Sequence, residues 1–334
     1  MDSSPGRWLL LETLTEDLGP SLVADDAQAK QWTASARLHR TIGLAPARGA
    51  LDAVRRCVGG GESQRTVVGD TLLLAEPVRC AFGGVHGVQI WIGPADAPVR
   101  PRRRVAAWDF ASDTELAHHG PGLEELVFAR EPEQVRVVRT PPDAFGRMVR
   151  FDGRVDYFDM ATRLEPGGHW QGEVDMLGDD DCVRRFQMVA RARPDLHRVS
   201  ALMHAIPELG DDAAALDPDV TMLRAVSQRS SVGVGFILLS SAVIYEWASE
   251  PPAPLDRWAV QRATIEPTDF AALRAACADA ARRPGTARRL ELRVRFDDGE
   301  WIRAQAELVT ITTDATGHGL LRVWSAVDDE SIDA

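Results

Sequence analysis

The apolar and polar positions alternate most cleanly between Leu290 and Leu308. Leu290, Leu292, Val294 and Phe296 fall on one side of an extended chain, with charged residues between them. That period of two is the mark of a half-buried strand. Asp298-Gly299 is a preferred hairpin turn. The return strand puts Ile302, Ala304, Ala306 and Leu308 on the apolar side and Arg303, Gln305 and Glu307 on the wet side. "TDATGHG" reads as a further turn and "GLLRVWSAV" as a last strand. Before this meander, "IEPTDFAALRAACADAARRPG" changes to a helical period, with Phe270, Leu273 and Cys277 on one face. Pro267 suits a first helical position, Asp269 the positive end of the helix, and Arg282 and Arg283 the negative end. Pro284 and Gly285 stop it. Farther upstream, "VGVGFILLSSAVIYEWA" is broken by Ser240 and Ser241, so it predicts two strands joined by a turn.

The hairpin has a fainter copy. Asp298 lies 118 positions after Asp180, and at that spacing Glu291 meets Glu173, Asp297 meets Asp179, Arg303 meets Arg185 and Gln305 meets Gln187. A pattern repeated at a fixed spacing predicts one structural unit used twice. "FGRMVRFDGRVDYF" reads as a strand pair ahead of the copy, and "PELGDDAAALDPD" as a linker after it. "VTMLRAVSQR" reads as a short helix, with Met222, Leu223 and Val226 as an apolar stripe that could pair two copies of the chain. Nearer the start, "GALDAVRRCVGG" predicts a helix, "TLLLAEPVRCAFGGVHGVQIWIG" a strand, turn and strand, and "RVAAWDF" a later strand of the same unit.

The order of two strands, a helical region and a three-strand meander resembles a PAS domain over about residues 221–328. "IEPTDFAAL" resembles that family's helix entry and "LELRVRFDDGEWIRAQAEL" its hairpin. The family's histidine is Glu266 here, so no role of that histidine carries over. "HWQGEVDMLGDDDCVRRFQMVA" resembles the meander of a second PAS domain, and the first hundred or so residues resemble a GAF-like domain. The layout is similar to GAF–PAS–PAS-like proteins of unknown function from mycobacteria and their relatives. The resemblance implies an α+β chain of three consecutive antiparallel domains with helices on one face. These are a GAF-like domain over 1–110, a PAS-like domain over 111–210, a linker over 211–219 and a PAS domain over 220–330. It also implies a part in signal transduction, an inference from fold alone.

Composition narrows the function. At 334 residues, two or three domains are expected. The net charge of −12 argues against a nucleic-acid partner. Lys30 is the only lysine and lies outside any phosphate-binding pattern, which removes P-loop and kinase chemistry. Cys57, Cys80, Cys182 and Cys277 are widely spaced, so neither a zinc site nor a redox dithiol is expected, and a reducing cytoplasm is the simple reading. The N-terminal stretch lacks the basic and apolar regions of a signal peptide, and no stretch is apolar enough for a membrane span.

Each remaining candidate has a plainer reading. His118-His119 could bind a metal, but adjacent residues present two ligands poorly and "AHHGPG" reads as a solvated loop. His86 lies in a turn and reads as structural. Cys277 reads as a small core residue. "GGGES" is a loop, "RPRRR" (Arg100–Arg104) a solvated basic run that could dock an acidic partner, and Asp179–Asp181 a hairpin turn. The expected protein is a non-enzymatic sensor or adaptor that responds to a small ligand or a partner protein, with a scaffold that binds no small molecule as the alternative and an enzyme of unknown reaction ranked last. A homodimer is expected, no catalytic or metal site, and no identified cofactor. If a domain binds a small molecule, the third is favoured. Ala304 and Ala306 stand there where the copy has Phe186 and Met188, and Phe236, Trp258 and Phe270 could wall the space. The competing reading is that the helix packs closer over the two alanines.

Overall fold

The computed structural model describes residues 6–15, 19–26, 28–206, 231–310 and 317–326. The linker 211–219 and the stripe of Met222, Leu223 and Val226 lie outside the described residues. Three antiparallel sheets carry the chain, with few helices. The chain divides into two compact units, one of Met1–Asp113, His118–Val138 and Leu164–Ala214, the other of Thr114–Ala117, Arg139–Arg163 and Ala215–Ala334.

The first sheet is built from β1 (Arg7–Glu12), β2 (Ser21–Asp25) and β3 (Gln28–Ala34), then, after α1 (His39–Ile42) and α2 (Leu44–Gly60), from β4 (Gln64–Val68), β5 (Thr71–Arg79) and β6 (Val85–Pro94). Its strand order is β3-β2-β1-β6-β5-β4. β1 and β6 are buried along almost their whole length because both faces of the sheet are covered. On one face α2 lays Ala47, Ala50, Ala53, Val54 and Cys57 over Leu9, Leu11, Leu73 and Ile90. On the other, Leu10, Val23 and Val78 pack with Ala107, Val189 and Leu202.

Those last three residues belong to the second sheet. β7 (Val105–Ala111) opens it; β8 (Leu116–His119), α3 (Leu123–Val127), β9 (Val138–Arg139), α4 (Pro141–Phe145), β10 (Met148–Phe151) and α5 (Arg154–Arg163) follow in the chain. β11 (His169–Leu177), β12 (Val183–Arg193) and β13 (Arg198–Ala205) form its meander, in the order β11-β12-β13-β7. The "RVAAWDF" strand, expected in the first unit, is therefore β7 of this sheet: Trp108 pairs with Ala201 and Asp109 with Ser200. The strand pair expected in "FGRMVRFDGRVDYF" is corrected too. Only its first half is a strand; from Arg154 the chain is helical, with Tyr157, Phe158 and Ala161 buried at helical spacing.

The third sheet comprises β14 (Gly233–Leu238), β15 (Val243–Ser249), β16 (Ala263–Ile265), β17 (Arg288–Phe296), β18 (Ile302–Thr310) and β19 (His318–Ser325), in the order β15-β14-β19-β18-β17-β16. α6 (Pro267–Arg282) precedes its meander. Glu266, at the position of the family histidine, is the N-cap: its carboxylate accepts from Thr268 N and Asp269 N and pairs with Arg293 at 2.8 Å. The repeat is real at the level of register. Glu173 pairs with Gln187 and Glu291 with Gln305; Val174 pairs with Phe186 and Leu292 with Ala304. In the turn, the left-handed residue is Asp297 at φ 50° rather than Gly299, so the bend comes one residue earlier than "DG" suggests.

Candidate functional site

The second unit contains a cleft of about 290 Å³ beside the edge strand β16. The short helical turn Asp256–Ala259 places Trp258 on one wall, where its carbonyl accepts from Trp247 Nε1 at 3.2 Å and its ring meets Trp247 edge-on. Phe270, one turn into α6, adds a second aromatic wall. Val243 and Ile244 of β15 and Ile265 of β16 complete the apolar lining. The polar lining comes from Gln261, Arg262, Thr140 and Glu115. Glu115 is half-buried and held at φ 58°. Burial pushes its carboxyl above the ordinary range, against the opposing pull of Arg262 and Arg274. An apolar trough with a few converging polar groups suits a small ligand that has an apolar body and one hydrogen-bonding end.

The expected pocket residues are divided by the structure. Trp258 and Phe270 line the cleft. Ala304 and Ala306 do not: they are 0% and 1% exposed, in a core with Leu273, Cys277 and Ala280 of α6. The small residues on the helix let it settle onto the two alanines, so the space is closed by close packing. Phe236 lies elsewhere as well. It stacks on Tyr245, ring centroids 6.0 Å apart, while its neighbour Ile237 enters the α6 core, because successive strand residues face opposite sides. On Phe236's side, Tyr245 also meets Phe158 and its hydroxyl lies 3.1 Å from His318 Nδ1. Glu115 and Thr140 were missed because they come from segments more than a hundred residues upstream.

The first unit holds a second constellation that sequence spacing hides. Cys80 directly follows β5, His86 is the second residue of β6 after the intervening turn, Asp109 lies on β7 and Ser200 pairs with it from β13. His86 Nε2 is 2.8 Å from Asp109 Oδ1, Ser200 Oγ donates to the same oxygen at 2.6 Å, and the Cys80 sulfur lies within 4.8 Å of both the His86 ring nitrogen and the Asp109 carboxylate. All four are buried. An Asp inside the apolar run "VAAWDFA" was the one available signal, since a buried carboxylate demands a partner.

The other sequence candidates are absorbed by local structure. His119 bonds Glu124 at 2.5 Å and is buried, whereas His118 lies against Phe82, so the pair faces different surroundings. The basic run is partly used internally and partly solvated: Arg100 binds Asp26 at 2.9 Å and Gly6 O and Arg103 binds the carbonyls of Asp26 and Ala205, while the exposed Arg102 pairs with Glu76 at 3.6 Å and the exposed Arg104 binds Glu125 O. Asp180 pairs with Arg184 and Asp179 with Arg130. Cys277 is a core residue of α6 whose thiol burial pushes up to about 12. No helix among the described residues is long and apolar enough to cross a membrane.

Residues 7–101 match the family model described as Rv3651-like, N-terminal. No curated protein matches the chain. The crystal structure of an uncharacterised protein from Mycobacterium tuberculosis is similar over 98% of both chains, with a TM-score of 0.78 at 20% identity, which shows a shared fold. An RNA-binding Light-Oxygen-Voltage receptor aligns over 69% of this chain and 95% of its own at 9% identity, and the Escherichia coli DhaR(N)–DhaL complex over 62% and 81%, also at 9%. Their TM-scores of 0.25 and 0.18 are too low to bear on this chain.

Proposed function

We propose that this chain is a non-enzymatic sensor or adaptor of the cytoplasm that takes a small ligand in the cleft of its second unit and passes its state to a partner protein. The observation that carries the reading is the cleft itself: two aromatic walls and an aliphatic floor, with Glu115, Gln261 and Arg262 at the polar end. Support also comes from the topology of the third sheet, in which two strands, a helix and a meander follow the order of a PAS domain. β16, which among the described residues forms the sheet edge beside β17 and lines the cleft, is the element through which occupancy would reach the surface. Native mass spectrometry of the full chain purified from its own host tests this. A retained small molecule is expected in the wild type and its loss in Thr264→Trp, which places a large side chain in the cleft from an exposed strand position. A wild type that retains nothing, and does not brighten the apolar dye 1-anilinonaphthalene-8-sulfonate, rules the reading out.

A further inference from the structure

The Cys80 constellation lies in the other unit and does not depend on the cleft. Three facts make it more than a buried cysteine. First, the reactive atoms of Cys80, His86 and Asp109 all lie within 4.8 Å of one another. Second, the imidazole is oriented from behind: Asp109 holds Nε2, and Ser200 in turn fixes Asp109. Third, Asp109 is 1% exposed and its Oδ2 has no hydrogen-bond partner among the described residues, so its charge is balanced chiefly through the imidazole. An acid–imidazole–thiol series in which each group orients the next is the arrangement that activates a nucleophile.

The spacing distinguishes this from a metal site. Zinc bonds of about 2.0–2.1 Å to nitrogen and oxygen hold tetrahedral donor atoms roughly 3.4 Å apart. The 2.8 Å between His86 Nε2 and Asp109 Oδ1 is a hydrogen-bond length instead. Access sets the size of the reactant. Cys80 is 5% exposed, beneath the hairpin tip Ala81–Gly84, whose residues are themselves exposed. Gly84 O accepts from Cys80 N at 2.9 Å, and Gly83, at φ 82°, takes a bend that other residues rarely adopt. Phe82 is held against the Arg198 guanidinium at 3.6 Å and His118 at 4.9 Å. A thiol this buried favours the smallest reactants over a peptide or an acyl ester.

We propose that Cys80 is a modification site, a thiol activated by His86 and positioned through Asp109 and Ser200, which hydrogen peroxide oxidises to the sulfenic acid. The thiolate sulfur attacks one peroxide oxygen; the S–O bond forms as the O–O bond breaks. Sulfur gives up two electrons, the peroxide is reduced, and the His86 imidazolium passes its proton to the departing hydroxide to give water. The electrostatics agree. Burial by itself would lower the His86 imidazole, but the hydrogen bonds to Asp109 and Cys80 outweigh it and hold the ring up to about 9. Burial would likewise raise the Cys80 thiol, and the hydrogen bond and charge of His86 overcome it and bring it below the ordinary value. The chain carries its own controls: burial, helped by the Glu76 charge, pushes Cys57 up to about 11, and burial pushes Cys277 up to about 12.

The experiment uses the full chain carrying Cys182→Ser, which removes the exposed thiol. It is treated with hydrogen peroxide for timed intervals, quenched into denaturant containing dimedone so that the trapping reagent reaches every cysteine, and adducts are mapped by mass spectrometry. Cys80 is expected to label at least ten-fold faster than Cys57 or Cys277, and His86→Asn or Asp109→Asn to slow it at least ten-fold. Equal labelling of the three cysteines, or an unchanged rate in a folded His86→Asn variant, overturns the proposal. A second readout does not depend on the variants folding. The rate of Cys80 alkylation by iodoacetamide should rise less steeply between pH 6 and 8 than that of a free thiol measured alongside; a ten-fold rise per pH unit, as for an ordinary thiol, overturns it. So does tight binding of one equivalent of zinc that protects Cys80, which would make the cluster a metal site.

Discussion

At the scale of single residues, two substitutions separate packing from chemistry. Ala306 is sealed beneath α6 by Leu273, Cys277 and Ala280, so Ala306→Phe has no cavity to fill. Overpacking of this kind costs about 1–3 kcal/mol, and urea denaturation should show a loss in that range. His204 is 1% exposed, with Nε2 2.6 Å from Gln187 Oε1. Burial first, and the Arg103 charge second, depress its imidazole to about 4 from the ordinary 6.5. The folded state thus holds the ring neutral while the unfolded state binds a proton. The associated stability is fully present above pH 6.5 and is lost as pH falls towards 4, by roughly 3 kcal/mol. His204→Gln should flatten that acid limb relative to wild type when denaturation midpoints are followed from pH 7 to 4.

At the scale of elements, α6 shows how local grammar and a distant strand share one residue. Glu266 caps the helix and also binds Arg293 of β17, which pairs with Asp269 at 2.9 Å as well. Glu266→Ala removes the cap and one arm of this network. Losing an N-cap costs about 0.5–2 kcal/mol, and the expected fall in melting temperature should be partly restored by Glu266→Asp, a good capping residue. The helix was readable from the sequence because Pro267, Asp269 and Gly285 mark its ends; Gly285 indeed takes φ 84°. α5 was not readable. Its apolar residues Tyr157, Phe158 and Ala161 follow a strand-like "MVRF", and only their burial against neighbouring aromatics distinguishes a helix.

At the scale of the molecule, the first sheet and strands β11, β12 and β13 of the second belong to one compact unit, and a buried ion pair joins them. Glu12 of β1 is 0% exposed and accepts from Arg191 of β12 at 2.9 Å; Arg191 also lies 4.2 Å from the centre of the Trp32 ring. Removing one partner strands the other charge, so Arg191→Met should cost about 3–5 kcal/mol. The double variant Glu12→Gln, Arg191→Met should lose much less than the sum of the single losses. Because the pair ties both sheets, hydrogen exchange in Arg191→Met should accelerate at β1 and β12 amides together.

The amino-acid sequence alone determined whatever depends on neighbours along the chain. That includes the alternation of β17 and β18, the caps and stops of α6, the broken apolar run that became β14 and β15, and the repeat at 118 positions, whose register the two hairpins share. Those features rest on periodicity and turn chemistry, which are local. The tertiary structure decided what depends on which surfaces meet. β7 joined the second sheet because its edge matched β13, not because of its composition. The paired alanines became core because α6 carries small residues of its own. The cleft gained Glu115 and Thr140, and Cys80 gained His86, Asp109 and Ser200, from strands and turns that spacing cannot bring together. Proximity in space between distant segments follows from the packing of whole sheets, and the physical chemistry of both sites begins with that proximity.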